Sequence, residues 1–544
     1  MRRLLALAGV PLILALLTGA GPAAAKQPQS LPSQALSPVA PWTAGHGLGV
    51  DWAISGQASA DSAQPGNPAA NAIDGDAGTD WCPSGWHGSL TVDLGQARRL
   101  NGVGITLDAA SPSASATIQL STGGGTWTTL PAAQLIALDP GSPMYVPVPV
   151  GSQARSARIT VKSGTGAPVC VGEFRLFGAA PAAVRMDLGA DLSFTPQEIA
   201  AGATFTDRGK PASPITIMRD NGTNFVRMRL WMNPPPGYSN LASDLLLARA
   251  VSAAGMKIYL DIMYSDFWAD PQHQDIPASW QGQDLSQLTA TVRSYTQQVI
   301  TAFAKQGTPV DLVSIGNEIR NGILWPTGQV DWAANTGWGN LATLLKAGVA
   351  GAQAGNPPGH KLQIMMHFDP GGDNQRSQEF YQNLISRGVP FDVIGLSYYP
   401  FFHGTISQMR TNVDALAGQF HKPIIIAETQ YAWTLANGDS TGNFVWQTSQ
   451  VSAGYPASPG GQLSFVSDEL SILAQVPDGL GAGLFYWSPE WIPGVGWEPG
   501  AGTPNDNLTL FNFQGMALPS IGSFGNPAAV CASYDPYDMP CVIR

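Results

Sequence analysis

The sequence predicts an α/β chain: a (β/α)8 TIM barrel preceded by an all-β sandwich. Three observations carry this reading. From Val50 to about Gly178, short runs of alternating apolar and polar residues are separated by Gly, Ser and Pro turns, with almost no helical periodicity. After a short Ala/Pro stretch at Ala179–Ala183 the pattern changes to alternating strands and helices. Eight such units occupy about 340 residues, which suits a closed barrel better than an open sheet.

In chain order, Met1-Arg2-Arg3, the apolar run Leu4–Leu17 and the small residues Ala23-Ala24-Ala25 read as a signal peptide over residues 1–25. Leu4–Leu17 is too short for a confident membrane span, and no later segment reaches the roughly 20 apolar residues that a span needs. The expectation is a secreted, extracellular protein with no membrane association once the signal is removed. Residues 26–48 are rich in Pro, Ser, Gln and Ala and read as a flexible lead-in. The sandwich, placed at 49–178, is expected to contain strands at Ser89–Leu94, Val103–Leu107, Ala116–Leu120 and Ala157–Val161. The barrel, placed at 184–525, is expected to use strands Met186–Leu192, Phe225–Trp231, Lys257–Met263, Leu312–Ile315, Leu362–His367, Val393–Ser397, Ile424–Ala427 and Gly483–Tyr486. Amphipathic helices such as Leu241–Ala254, Leu285–Phe303 and Leu341–Ala354 lie between them. Residues 526–544 form a C-terminal tail.

Charged residues make up only 12% of the chain and its net charge is −11, which excludes a polyanion such as nucleic acid as partner. Sixteen Trp suit neutral polar ligands, because an indole face can cover the C–H face of a sugar, although most Trp are core residues. The four cysteines are expected to be structural, with Cys82–Cys170 and Cys531–Cys541 as the economical pairing. There is no CxxC pair or His/Cys cluster to suggest zinc. No catalytic cofactor is expected, and the chain is expected to be a monomer.

The chemistry gathers where the barrel strands end, the active face of such a barrel. Val313-Ser-Ile-Gly-Asn-Glu318 and Pro423-Ile-Ile-Ile-Ala-Glu428 are apolar strands that each stop at a glutamate. A carboxylate there is expensive to desolvate without a partner or a purpose. On strands four and seven the two face each other across the barrel mouth. Glycoside hydrolysis needs such a pair, one acid to protonate the leaving oxygen and one carboxylate to attack or to activate water. The spacing between them decides whether the enzyme is retaining or inverting. Arg227, Arg229 and Trp231 alternate on strand two, and one of the two arginines is expected to keep Glu428 ionised: Arg229, nearer the rim, is favoured, with Arg227 as the alternative or else a buried structural partner. Tyr398 and Tyr399 offer a phenol to the nucleophile. Asp266, Trp268, Asp270 and His273 follow strand three in a loop suited to sugar hydroxyls. His367 ends strand five and is expected to contact substrate, and Trp487 ends strand eight as a floor for the site.

Ile315-Gly-Asn-Glu-Ile-Arg-Asn-Gly-Ile-Leu-Trp-Pro-Thr-Gly328 closely resembles the acid/base segment of glycoside hydrolase family 53, the arabinogalactan endo-β-1,4-galactanases. The likeness continues in Thr223–Pro234, Tyr264–Pro271, Gly395–Pro400 with His403-Gly404, Ala427–Tyr431 and Phe485–Trp491. It runs over about residues 184–525, through Asp506-Asn507 and the closing segment from Phe511 to Pro519. The resemblance implies a retaining enzyme with Glu318 as acid/base, Glu428 as nucleophile and Asn317 on the sugar 2-hydroxyl. It implies the β-1,4-galactan backbone of type I arabinogalactan from plant cell walls as substrate, cut internally. It also implies a structural Ca2+ between the loops after strands seven and eight. Asp439, Asn443 and Asp506, with Asn437, Thr441 and Thr503, fall at the corresponding positions. Thr441 stands where a stronger ligand is expected and Asn437 replaces an acid, which lowers the affinity expected of this set.

Ahead of the barrel, Asn71-Ala-Ile-Asp-Gly-Asp76, Thr79-Asp-Trp81 and Leu90-Thr-Val-Asp-Leu-Gly95 resemble a discoidin, or factor V/VIII type C, module, a galactose-binding-like sandwich. Asp74, Trp81 and Asp93 are expected to be structural, while Trp52, Trp86 and His87 are the loop residues placed to touch a sugar. Two other readings keep parts of this picture: a retaining β-glycanase for mannan, xylan or cellulose, and a polysaccharide-binding protein without catalysis.

Overall fold

The computed structural model describes residues 50–525 apart from 77, 139, 142–143, 150 and 179–185. The signal peptide, the lead-in, the Ala179–Ala183 stretch, the C-terminal tail and the Cys531–Cys541 pairing lie outside the described residues. Among the described residues no helix is long and apolar enough to cross a membrane.

The first unit is an antiparallel sandwich with strand order Val50–Asp51, Val171–Gly178, His87–Leu107, Gln153–Ser163, Ala114–Ser121, Thr128–Leu138. Two expected strands, Ser89–Leu94 and Val103–Leu107, are halves of the single strand His87–Leu107, which serves both sheets. The pairing slips between Asp93 and Arg98, and there the strand turns from one sheet to the other; Gly95 takes φ +72° at the bend. Cys82 and Cys170 form a disulfide. Trp81 is fully buried with its Nε1 donating to Ser62 O at 2.8 Å, and Asp74 accepts from Asp76 N and Thr79 Oγ1, so both are framework residues. Trp52, expected on a sugar-facing loop, is buried with Arg98 over its ring; Trp86 is exposed beside His87.

The second unit is a closed parallel barrel. Its strands are Asp187–Asp191, Phe225–Leu230, Lys257–Ile262, Leu312–Ile315, Gln363–Phe368, Val393–Tyr398, Ile424–Thr429 and Gly481–Tyr486, and the last pairs with the first. Strands buried on both faces read as continuous apolar runs, which is why periodicity located them. The inner face is packed by Phe225, Tyr259, Leu312, Met365, Val393, Ile425, Ala427 and Phe485. Period-two alternation then puts Asp191, Arg227, Arg229, Asp261, His367 and Ser397 on that same inner face, toward the C-terminal rim.

The units are joined by buried polar contacts. Helix Pro459–Gln475, which connects barrel strands seven and eight, meets the sandwich along one side. Arg175 of the sandwich pairs with Asp468 of this helix at 3.1 Å, and Tyr455 bonds both. Ser471 and Gln475 hold the backbone of Asp51, and Gln475 also accepts from Ser55 Oγ. Removing one member of a buried ion pair leaves the other charged and unsolvated. Arg175→Ala should therefore cost about 3 kcal/mol. In calorimetry the sandwich should then melt as a separate, lower transition.

Candidate active site

The site is built on how strands four and seven end. Strand four breaks at Gly316, φ +90°, where an added Cβ would lie 2.6 Å from the Ile319 side chain, so only glycine fits. Glu318 itself is left-handed, φ 47° and ψ 51°, a conformation that non-glycine residues take at a cost and that is frequent at functional sites. On strand seven Ile425 and Ala427 face the barrel interior, so strict alternation would turn Glu428 outward. Instead the pairing shifts between Ile426 and Thr429, and again between Leu396 and Ser397 on the neighbouring strand, so that Ser397 pairs with Glu428. The irregularity re-aims Glu428 into the mouth.

Glu428 is gripped from two sides. Arg227 Nη2 donates to Oε1 at 2.6 Å and the Tyr399 phenol donates to Oε2 at 2.7 Å. The arginine that reaches Glu428 is thus Arg227, a correction to the expectation that favoured Arg229. Arg227 lies one inward position deeper, and its extended side chain spans that depth to reach Glu428 at the mouth. Its Nη1 holds Asp191 at 2.6 Å, while Nη2 also meets Asp261 at 2.7 Å and Asn317 Oδ1 at 3.0 Å. Arg229 turns instead into an aromatic box, 3.9 Å from the Phe194 ring centre, 4.8 Å from Trp268 and 5.0 Å from Trp231.

These contacts divide the two glutamates. Burial pushes the Glu428 carboxyl up, while the Arg227 charge and the Tyr399 hydrogen bond pull it back toward the ionised form. Glu318 is pushed well above the ordinary carboxyl range, by burial first and then by the negative charges of Glu428 and Asp369; a hydrogen bond from Ser397 opposes them. Glu318 is thus raised further than Glu428, a separation in the direction that the acid and the carboxylate of glycoside hydrolysis require.

The other expected residues separate into three groups. Asn317 is buried beside the pair, donating to Ala269 O at 2.8 Å. Trp268 and Trp487 are half-buried near each other, with ring centres 6.2 Å apart, and Trp268 Nε1 donates to Trp497 O. His367 corrects the expectation of a sugar contact: it has no exposed surface, its Nε2 sits 2.9 Å from Ser397 Oγ, and burial with the nearby Arg227 charge keeps it neutral. Asp266 accepts from the backbone of Ala278 at 2.8 Å, which ties its loop, and Asp270 pairs with His273 on the surface. The sequence reading passed over Asp369, Arg320 and Ser397. Asp369 lies two residues beyond His367, in the inward phase of strand five. It pairs with Arg320 at 3.4 Å, and burial raises it to about 7.

The loops assigned to Ca2+ close on themselves. Asp439 accepts from Thr441 N at 2.6 Å and from Thr503 N at 2.8 Å, which occupies both of its oxygens and bridges the two loops. Asp506 Oδ2 accepts from Gly438 N, and Asn437 donates to Thr441 O. Asn443 Oδ1 and Asp506 Oδ1 remain without a protein hydrogen bond. Only two carboxylates, Asp439 and Asp506, stand among these oxygens, and Asp439 already bridges the loops through backbone N–H groups, so the charge that calcium favours is only partly supplied.

A barrel that sets two buried glutamates of separated acidity together at its C-terminal rim has the site of a glycoside hydrolase. Comparison with known proteins gives the family. The model of glycosyl hydrolase family 53 matches residues 187–524, and that of the F5/8 type C domain matches residues 57–173. The chain belongs to glycosyl hydrolase family 53 and carries an F5/8 type C module ahead of the barrel. A probable arabinogalactan endo-beta-1,4-galactanase A of Neosartorya fischeri is 36% identical over 345 residues, covering 62% of this chain and 92% of the relative. An arabinogalactan endo-beta-1,4-galactanase of Thermothelomyces thermophilus is 34% identical, covering 62% of this chain and 98% of the relative. The solved family 53 catalytic domain of Ignisphaera aggregans superposes with TM-score 0.59 at 36% identity, covering 63% of this chain and 96% of that one.

The charges around Glu318 yield a pH test. Asp369 raises the Glu318 carboxyl, so Asp369→Asn lowers it and Glu318 loses its proton at lower pH. The alkaline limb of the kcat/KM profile should therefore move to lower pH; an unmoved limb would take Asp369 out of the acid's environment.

Proposed function

We propose that the protein is a secreted, retaining endo-β-1,4-galactanase that cuts the galactan backbone of type I arabinogalactan by double displacement. One observation carries this reading: Arg227 and Tyr399 fix Glu428 and favour its ionised form, while burial and neighbouring negative charges hold Glu318 well above the ordinary carboxyl range. Glu428 attacks the anomeric carbon while Glu318 gives its proton to the glycosidic oxygen, and the leaving chain departs. Glu318, now a carboxylate, takes a proton from water, which cleaves the glycosyl–Glu428 ester with net retention. Asn317 Nδ2 has two protons and gives one to Ala269 O, which leaves the other for the sugar 2-hydroxyl. The substrate rests on the galactanase names of the relatives. Secretion is supported by the apolar Leu4–Leu17 segment and by the Cys82–Cys170 disulfide.

Potato galactan should be cleaved in preference to mannan, xylan and cellulose. NMR of the first products should show the β anomer, and an initial α anomer would replace double displacement with inversion. Glu318→Gln and Glu428→Gln should each lower kcat by roughly 10³-fold or more with the fold intact by circular dichroism. Because Asp439 bridges the two loops through backbone N–H groups, chelator should leave the melting temperature unchanged. A fall on chelation would restore the calcium expectation.

A further inference from the structure

Five aromatic rings are among the exposed large apolar residues of the described chain, and three of them lie together beside the catalytic mouth: Phe402 at 60% exposure, Phe444 at 46% and Trp446 at 62%. An exposed apolar cluster on a folded surface marks a place where something binds. This one is continuous with the site. Tyr399, which donates to Glu428, has its ring centre 6.5 Å from that of Phe402, and Phe402 lies 6.1 Å from Phe444. Phe444 and Trp446 flank the buried Val445, so both turn outward from one extended stretch.

The rings stand on a fixed base. Val445 belongs to a small apolar cluster with Ala432 and Leu508, and Phe401 packs against it. Asn507 Nδ2 donates to Val445 O at 2.7 Å, and Phe444 N donates to Pro504 O at 3.0 Å. Gln450 ties the stretch again, donating to Phe444 O and accepting from Trp446 N. Rings held this way lose little conformational freedom when a ligand covers them, which favours binding. At the far end, the sandwich comes up to the same two segments: a Cβ on Gly75 would meet Ile406, and one on Gly78 would meet Ala453.

We propose that Phe402, Phe444 and Trp446 form a distal subsite for the polysaccharide, covering the C–H faces of neutral hexopyranose units as the chain leaves the catalytic mouth toward the sandwich. Exposed aromatic faces suit pyranose units whose polar edges stay in water, as Trp and Tyr suit half-wet interfaces generally. The inference rests on the reading of the site as a β-galactanase.

The test uses the full chain with Phe402, Phe444 and Trp446 all changed to alanine, assayed on linear β-1,4-galactan and on an aryl β-galactobioside, which spans the cleavage point without extending along the ridge. KM on the polymer should rise roughly tenfold, the scale for uncovering two or three apolar sugar faces, while both constants on the bioside stay as in the parent. Trp446→Phe, which keeps a ring, should retain most of the polymer affinity and Trp446→Ala should not. An unchanged polymer KM in the triple variant overturns the subsite, as does an equal loss on both substrates. If the parent enzyme leaves galactan uncut, the substrate reading fails independently; the same polymer-to-oligomer comparison on the β-glycan it does cut then decides the ridge.

Discussion

The catalytic mouth depends on one guanidinium. Arg227 has no exposed surface, yet it bonds Asp191, Asp261 and Glu428 together. Two buried cations, Arg227 and Arg229, the latter 3.7 Å from Asp191, face three buried carboxylates, and the excess shows in Asp261, which burial and the charges of Glu428 and Asp191 raise to about 7. Asn317 is bound into the same cluster through its Oδ1, so the residue expected at the sugar 2-hydroxyl is positioned by the group that holds the nucleophile. Burying this much charge is poor economy for stability, since a packed apolar core would serve as well or better. Its justification is chemical: a Glu428 carboxyl that is desolvated, oriented and drawn toward its ionised form.

A second constraint is geometric. Regular strands would not deliver either glutamate. Strand seven would turn Glu428 away from the mouth without its register shift, and strand four must stop at Gly316 and place Glu318 in a left-handed conformation. The fold thus supplies a rigid barrel, and the chemistry sits where its regularity is broken at the rim. The breaks are local because the layer beneath is tightly packed, from Phe225 and Tyr259 round to Phe485.

Much of this was legible in the sequence, for identifiable reasons. Barrel strands buried on both faces appear as unbroken apolar runs, and their polar terminations mark the active rim, so the strands and the two glutamates could be read directly. Side-chain reach could not. Arg227 and Arg229 share one face of one strand, and proximity to the rim favoured the wrong one; a long side chain placed deeper covers the gap, while Arg229 is captured by Phe194 and Trp268. His367 misled for a similar reason, since a strand-end position does not reveal that Ser397 lies over it. Asp369 was missed because it stands one step past the apolar run that defined the strand. The Asp439 loop carries calcium-like spacing, but whether its oxygens face an ion or backbone N–H groups depends on turn geometry that spacing does not encode.

The sandwich enters this argument through helix Pro459–Gln475. A module on a flexible linker raises local substrate concentration by an amount set by linker length. Here the sandwich is fastened by Arg175 to Asp468, within a cluster where Glu173 and Asp51 are also buried. Burial drives Glu173 well above the usual carboxyl range and Asp51 to about 6, so the acids reduce their own charge and leave Arg175 to pair with Asp468. On the same helix the next residue, Glu469, accepts from Thr429 Oγ1 at 2.8 Å, and Thr429 follows Glu428 directly. The helix therefore touches the sandwich through Asp468, Ser471 and Gln475 and the end of strand seven through Glu469. A module held in this way stands at a set place and orientation relative to Glu428, so any contribution it makes to binding depends on that fixed geometry and not on the length of a linker.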